Sequence, residues 1–95
     1  MPRGYWIVRV SVRDGARYPE YLASARSAFE KFDAHFLVRG GPFEAKEGVS
    51  RERNVVVEFA DLATAHACYN SEEYQAAKAI RNGIADADFI IVEGA

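Results

Sequence analysis

The amino-acid sequence predicts an α+β fold with element order β-α-β-β-α-β, an antiparallel sheet carrying its helices on one face. Three observations predict it. YWIVRVSV, near the start, alternates its side chains with the period of two that a strand imposes. Tyr18, Tyr21, Leu22, Ala25, Ala28, Phe29 and Phe32 recur at helical spacing and form one apolar stripe. The stretch from Arg53 to Gly94 reads strand, helix, helix restart and strand almost without filler. At 95 residues the chain is expected to form one domain over 1–95, large enough for a modest core.

The elements follow in order. Strand 1 is expected over Tyr5–Val12, with Trp6, Val8, Val10 and Val12 on one face and Tyr5, Ile7, Arg9 and Ser11 on the other. Asp14-Gly15 signals a turn. Pro19 suits the first position of helix 1, and Glu20 favours the positive end of its dipole. Strand 2 begins near His35 (HFLVR) and meets Gly40-Gly41-Pro42, a bulge or bend. Phe43 to Glu47 is expected to continue that strand, with Gly48 to Arg51 as the hairpin loop before strand 3, Arg53–Phe59. Asp61 caps a helix beginning at Leu62, Asn70-Ser71 interrupts it, and Ser71 caps a new one carrying Glu72 and Glu73 in its first turn. That helix runs to about Arg81 and stops at Asn82-Gly83, and the last strand spans Ala87–Glu93. PEYLASA at 19–25 weakly echoes EEYQAAK at 72–78, as two βαβ halves of one sheet would.

Composition narrows the function classes. The chain is 49% hydrophobic and 27% charged, which marks it as globular. Its net charge of −2, with both signs dispersed, offers no electrostatic reason for nucleic acid or an anionic membrane as partner. No segment approaches the roughly 20 apolar residues of a membrane span, and Arg9 and Arg13 interrupt the apolar start, which reads as a strand and not as a signal peptide. The cytoplasm is the default location. The lone Cys68 excludes an internal disulfide and a cysteine-based zinc cluster, and reads as a small buried apolar residue.

Helices cover only one face of such a sheet. The other face then carries Tyr5, Ile7, Arg9, Asn54, Val56 and Glu58, a mixture of apolar and charged side chains. Left in water it would be a liability, so a second copy of the chain is expected to cover it, giving a homodimer through the open sheet face.

The polar candidates are few, and each has a structural reading beside its functional one. Arg9 and Glu58 sit mid-strand on strands expected to be neighbours. They are expected either to form an ion pair that sets register or interface, or to work as an anion anchor and an acid or base. His35 and His66 lack metal-ligand spacing, so no metal is expected, and His35 stands beside Glu58 as a candidate base. Tyr69, Ser71, Tyr74 and Arg81 gather at the helix restart, where they either pack and cap or line the mouth of a pocket between sheet and helices. The Met1-Pro2 start invites a proline-based tautomerase, but an Arg-Gly spacer separates Pro2 from the strand. An RNA-recognition module shares the element order, yet Asn54 and Val56 would stand where bases must stack on aromatic rings.

These residues carry a family likeness that covers nearly the whole chain. YWIVRVSVRD followed by Tyr18-x-x-Tyr21, the pair Gly40-Gly41 with Glu47-Gly48 after it, Arg53 with VVVEF, and the run Ala65, Tyr69, Ser71, Tyr74 and Arg81 resemble the family called domain of unknown function 1330. The spacing Ser71-x-x-Tyr74-x-x-Ala77-x-x-x-Arg81 is its most specific part, and Glu72 stands where such families usually place proline. The resemblance implies small bacterial proteins with ferredoxin-like halves joined in a dimeric α+β barrel, and no established activity. Related barrels include cofactor-independent monooxygenases, isomerases and haem-degrading enzymes. Trp6 lacks the Asn and His partners that the last of these use. A small organic anion, without a cofactor, is the expected ligand, anchored by Arg9 or Arg81 and walled by Tyr5, Tyr69 or Tyr74. The alternatives are an oxygenase or isomerase with Glu58 or His35 as base, and an interaction module with no ligand.

Overall fold

A computed structural model describes residues 2–95. The elements are β1 (Gly4–Val12), α1 (Tyr18–Lys31), β2 (His35–Arg39), β3 (Arg53–Phe59), α2 (Leu62–Asn70), α3 (Glu72–Asn82) and β4 (Ala85–Glu93). The four strands lie in the order β2-β3-β1-β4, every neighbouring pair antiparallel. Two βαβ halves thus interleave, and the strands that end each half, β2 and β4, lie at the edges.

The core lies between the sheet and the helical layer. From the sheet come Trp6, Val8, Val10, Val55, Val57 and Phe59, all buried, on the face that strand alternation assigns to them. The helices meet them with small residues. Ala25, Ala28, Ala65 and Ala77 are fully buried, and their missing side chains let the helix backbones approach the aromatic rings of the sheet. Trp6 is the hub: its ring lies 5.0 Å from Phe59, 4.8 Å from Tyr74 and 4.9 Å from Phe89, and its indole N–H donates to the Ala65 carbonyl at 2.9 Å. Gly4 sits where β1 passes the entry to α2. A Cβ there would overlap the backbone carbonyl of Asp61, so only glycine lets strand and helix start abut.

The expected helix starts are present. The Asp61 carboxylate accepts from the Thr64 N–H at 2.7 Å, and the Ser71 hydroxyl accepts from the Tyr74 N–H at 3.2 Å. Ser71 also donates to the Cys68 carbonyl at 2.7 Å, tying the end of α2 to the start of α3. Hydrogen bonds from the Thr64 hydroxyl and amide hold the Asp61 carboxyl below its ordinary range. Cys68 is buried, and burial pushes its thiol up to about 12, which makes it a packing residue at neutral pH.

Two segments differ from expectation by more than one residue. β4 starts at Ala85, paired with Val12, two residues before Ala87. Phe43 to Glu47 is not a strand: residues 41–52 form no regular element. The bulge falls earlier, between Phe36 and Val38. Gly40 then takes φ +67°, and its N–H closes the ladder on the Asn54 carbonyl at 2.8 Å. Beyond it Pro42 offers no donor and Phe43–Glu47 is exposed, so nothing extends the pairing.

Candidate functional site

The sheet divides the candidate residues into two groups. On the open face, strand register places Tyr5 opposite Glu58, and Glu58 opposite His35. The Tyr5 hydroxyl donates to the Glu58 carboxylate at 2.9 Å, and the Arg3 guanidinium lies 3.9 Å from the other carboxylate oxygen. That hydrogen bond, with help from burial, raises the Tyr5 phenol above its ordinary range. His35 is exposed, 3.4 Å from Asp33.

The expected pairing of Arg9 with Glu58 is not formed. Arg9 stands opposite Asn54 and Asp88, four positions along β3 from Glu58, or ~13 Å at strand rise. Its guanidinium instead donates to the Val49 carbonyl at 2.9 Å, holding the 41–52 segment against the open face. Neighbouring strands do bring the two residues onto one face. Antiparallel register keeps them apart, and a one-sequence reading cannot set register between distant strands.

Tyr69, Ser71, Tyr74 and Arg81 lie on the helix side. Tyr69 is half-buried, edge-on to Trp6 and Phe89. Ser71 is spent on capping. Tyr74 is fully buried, and its hydroxyl meets the Tyr21 hydroxyl at 2.8 Å. Arg81 is 4% exposed and reaches the Tyr74 hydroxyl from Nη1 at 3.5 Å. Among the described residues no carboxylate pairs with it, and its guanidinium rests against the rings of Tyr21 and Phe89. Burial is the main cause that pushes the Tyr21 and Tyr74 phenols above their ordinary range, so both stay protonated at neutral pH.

A cleft lies where no candidate was named. It measures about 630 Å³ and opens between α1 and the β2–β3 edge. Leu22, Phe29 and Phe36 form its apolar wall, and Arg26, Arg39 and Arg53 border it, against Glu30 and Asp33 on the rim. Leu22, expected in the core, is 43% exposed because it faces this cleft. The Arg39 guanidinium stacks 4.0 Å over Phe36.

Arg53 stands at the base of the cleft and also borders a smaller inner cavity of about 30 Å³, which Tyr18, Tyr21 and Tyr74 line with it. Its Nε is buried and has no hydrogen-bond partner among the described residues. Its guanidinium lies 5.5 Å over the Tyr18 ring. The backbone of Gly40 makes room for it, because a Cβ there would come within 2.5 Å of Arg53 Nη1. A side chain at position 40 would be disfavoured by the positive φ, and it would push the Arg53 guanidinium aside. Gly40 and Arg53 both carried the family likeness, and that was the one signal in the sequence that could have pointed here. Among the described residues no group of three or more His, Cys, Asp or Glu side chains is placed to share a metal ion.

Comparison with known proteins agrees with this architecture. The family model "domain of unknown function (DUF1330)" matches residues 3–95. No functionally curated protein matches the sequence. Among solved structures, a protein of unknown function from Rhodopseudomonas palustris superposes with a TM-score of 0.78 at 15% identity, over 99% of this chain and 83% of that one. The cofactor-independent oxygenase SnoaB from Streptomyces nogalater gives 0.66 at 8% identity, over 97% and 92%. A dimeric ferredoxin-like protein of unknown function from Thermobifida fusca gives 0.56 at 15% identity, over 97% and 91%. At such identities the likeness establishes the fold, which is ferredoxin-like α+β, and leaves activity open.

Proposed function

The chain belongs to the DUF1330 family, and we propose that it is a homodimeric small-molecule-binding protein whose ligand, a small organic anion, occupies the cleft between α1 and the β2–β3 edge. One observation carries this reading: the Arg53 guanidinium, cradled by Gly40 at the base of an apolar-walled cleft, holds a buried N–H donor with no partner. Buried donors in folded proteins are nearly always satisfied, and leaving one unpaired costs about 1–3 kcal/mol. An anionic oxygen would remove that cost, while Leu22, Phe29 and Phe36 take an apolar body. Arg53 therefore replaces Arg9 as the proposed anchor, since Arg9 lies on the other side of the sheet and is bonded to Val49.

The expected result is that a panel of small organic acids contains members that raise the melting temperature. Arg53→Ala should weaken their binding at least about tenfold, the usual scale for a hydrogen bond to a charged group. Full retention of binding by that variant would remove the reading.

Dimerisation is supported by the open face. Ile7, Val38, Ile90 and Val92 lie there more than one-third exposed, flanking the Tyr5–Glu58 pair. A second copy would bury this strip, and two of the structurally similar proteins are described as dimeric. Sedimentation at micromolar concentration is expected to give the mass of two chains, and Ile7→Glu with Ile90→Glu the mass of one. A monomeric wild type would rule the assembly out. Among the described residues no helix is long and apolar enough to cross a membrane, which accords with the cytoplasmic location we propose.

A further inference from the structure

The inner cavity behind Arg53 is bordered by groups whose hydrogen-bonding polarity can be followed atom by atom. Arg81 is a buried cation that can only donate, and it reaches the Tyr74 oxygen at 3.5 Å. Between the Tyr74 and Tyr21 hydroxyls, 2.8 Å apart, either oxygen can accept. A phenol oxygen that faces a guanidinium becomes the better donor, because the adjacent positive charge draws electron density from its O–H. Tyr74 then donates to Tyr21. The Tyr21 oxygen is occupied as an acceptor, and its own hydrogen has no partner among the described residues. Both phenols keep their protons, since burial raises them above their ordinary range.

Tyr21 and Arg53 line the same cavity together with Tyr18, whose ring lies 5.4 Å from the Tyr21 ring and 5.5 Å from the Arg53 guanidinium carbon. Two donors that border this space, the Tyr21 O–H and the Arg53 Nε–H, are therefore left without an acceptor among the described residues. Its volume, about 30 Å³, admits one water-sized atom. The remaining wall is apolar, from Val8, Val55 and Phe36 among others.

We propose that this cavity is a carboxylate pocket: one ligand oxygen enters between Tyr21 O–H and Arg53 Nε–H, while a planar apolar body lies outward along Phe29 and Phe36. Arg81 and Tyr74 are positioning residues that orient the Tyr21 hydroxyl. The inner space takes a single oxygen, and the Phe29 and Phe36 rings beyond it suit a flat apolar body. The assignment rests on the small-molecule reading of the cleft and names the ligand's class, an aryl or similarly flat carboxylic acid.

The test is a titration of the full-length protein, followed by amide NMR, with aryl carboxylates of one to three rings and the corresponding neutral carboxamides. The acids are expected to shift cleft resonances around Phe36 and Arg53 and to bind at least about tenfold more tightly than their amides. Tyr21→Phe should cost the acids about tenfold and the amides less, because a neutral carbonyl oxygen accepts more weakly than a carboxylate, and Tyr74→Phe should give a smaller loss of the same preference. Arg53→Lys, which keeps the charge and deletes the Nε donor, should also narrow the gap between acid and amide. A purely structural role for these residues would change the melting temperature and not this preference. Equal binding of acid and amide, or full preference in a folded Tyr21→Phe or Arg53→Lys protein, overturns the carboxylate pocket while the small-molecule reading stands. Cleft resonances unmoved by every acid and every amide overturn both.

Discussion

Replacing Trp6 with alanine is expected to lower the unfolding free energy by about 3–5 kcal/mol, read from urea denaturation. Trp6 is 1% exposed and touches rings from both strands that flank β1 and from the helical layer, among them Phe59, Phe89 and Tyr74 at about 5 Å. Truncation removes that contact area and leaves a void that the surrounding β1, α1 and α3 side chains fill only in part. It also deletes the N–H that the Ala65 carbonyl accepts, the link by which β1 holds α2. Trp6→Phe keeps most of the ring contact and should cost less than half as much. Because Trp6 also lines the inner cavity, a folded Trp6→Ala protein is expected to lose the preference for acids over amides as the space widens. A midpoint within error of the wild type would refute its role as the hub of the core.

Arg81→Met is expected to act with the opposite sign on stability. The guanidinium is 4% exposed, has no carboxylate partner among the described residues, and makes one long hydrogen bond to Tyr74. Taking a cation out of water costs several kcal/mol unless it is paired, and well-packed apolar replacements of buried charges often stabilise by about 1–4 kcal/mol. Met has a comparable length and can lie against the Tyr21 and Phe89 rings that Arg81 now faces. A melting temperature at or above that of the wild type, together with weaker acid binding, is therefore expected. The combination separates a residue kept for the site from one kept for the fold. A clear loss of stability with acid binding intact would show that Arg81 is structural.

The order of elements was legible because it depends on local chemistry. Alternation in YWIVRVSV, the stripe from Tyr18 to Phe32, and the caps at Asp61 and Ser71 each act within a few residues. Phe43 to Glu47 was misread for the converse reason. Its composition tolerates a strand, but a strand needs a partner, and Gly40 has already turned the chain away. The candidate site was half legible. Tyr74 and Arg81 were singled out by their seven-residue spacing, which places them on one helix face, and they do meet. Tyr21, read as core, completes their chain from another helix. Arg9 and Glu58 share the face they were assigned, and register separates them.

By itself the sequence determined which segments are strands and helices, which face of each is apolar, and that one sheet face is left without helices, because periodicity and capping are properties of neighbours along the chain. Only the tertiary structure decided that the polar candidates fall on two sides of the sheet, and that Arg53, Gly40, Tyr18 and Tyr21 converge on one cavity. Those four positions come from β3, the turn after β2, and α1. Their meeting depends on strand register and on the height at which the helix crosses the sheet, quantities set by packing across the whole core.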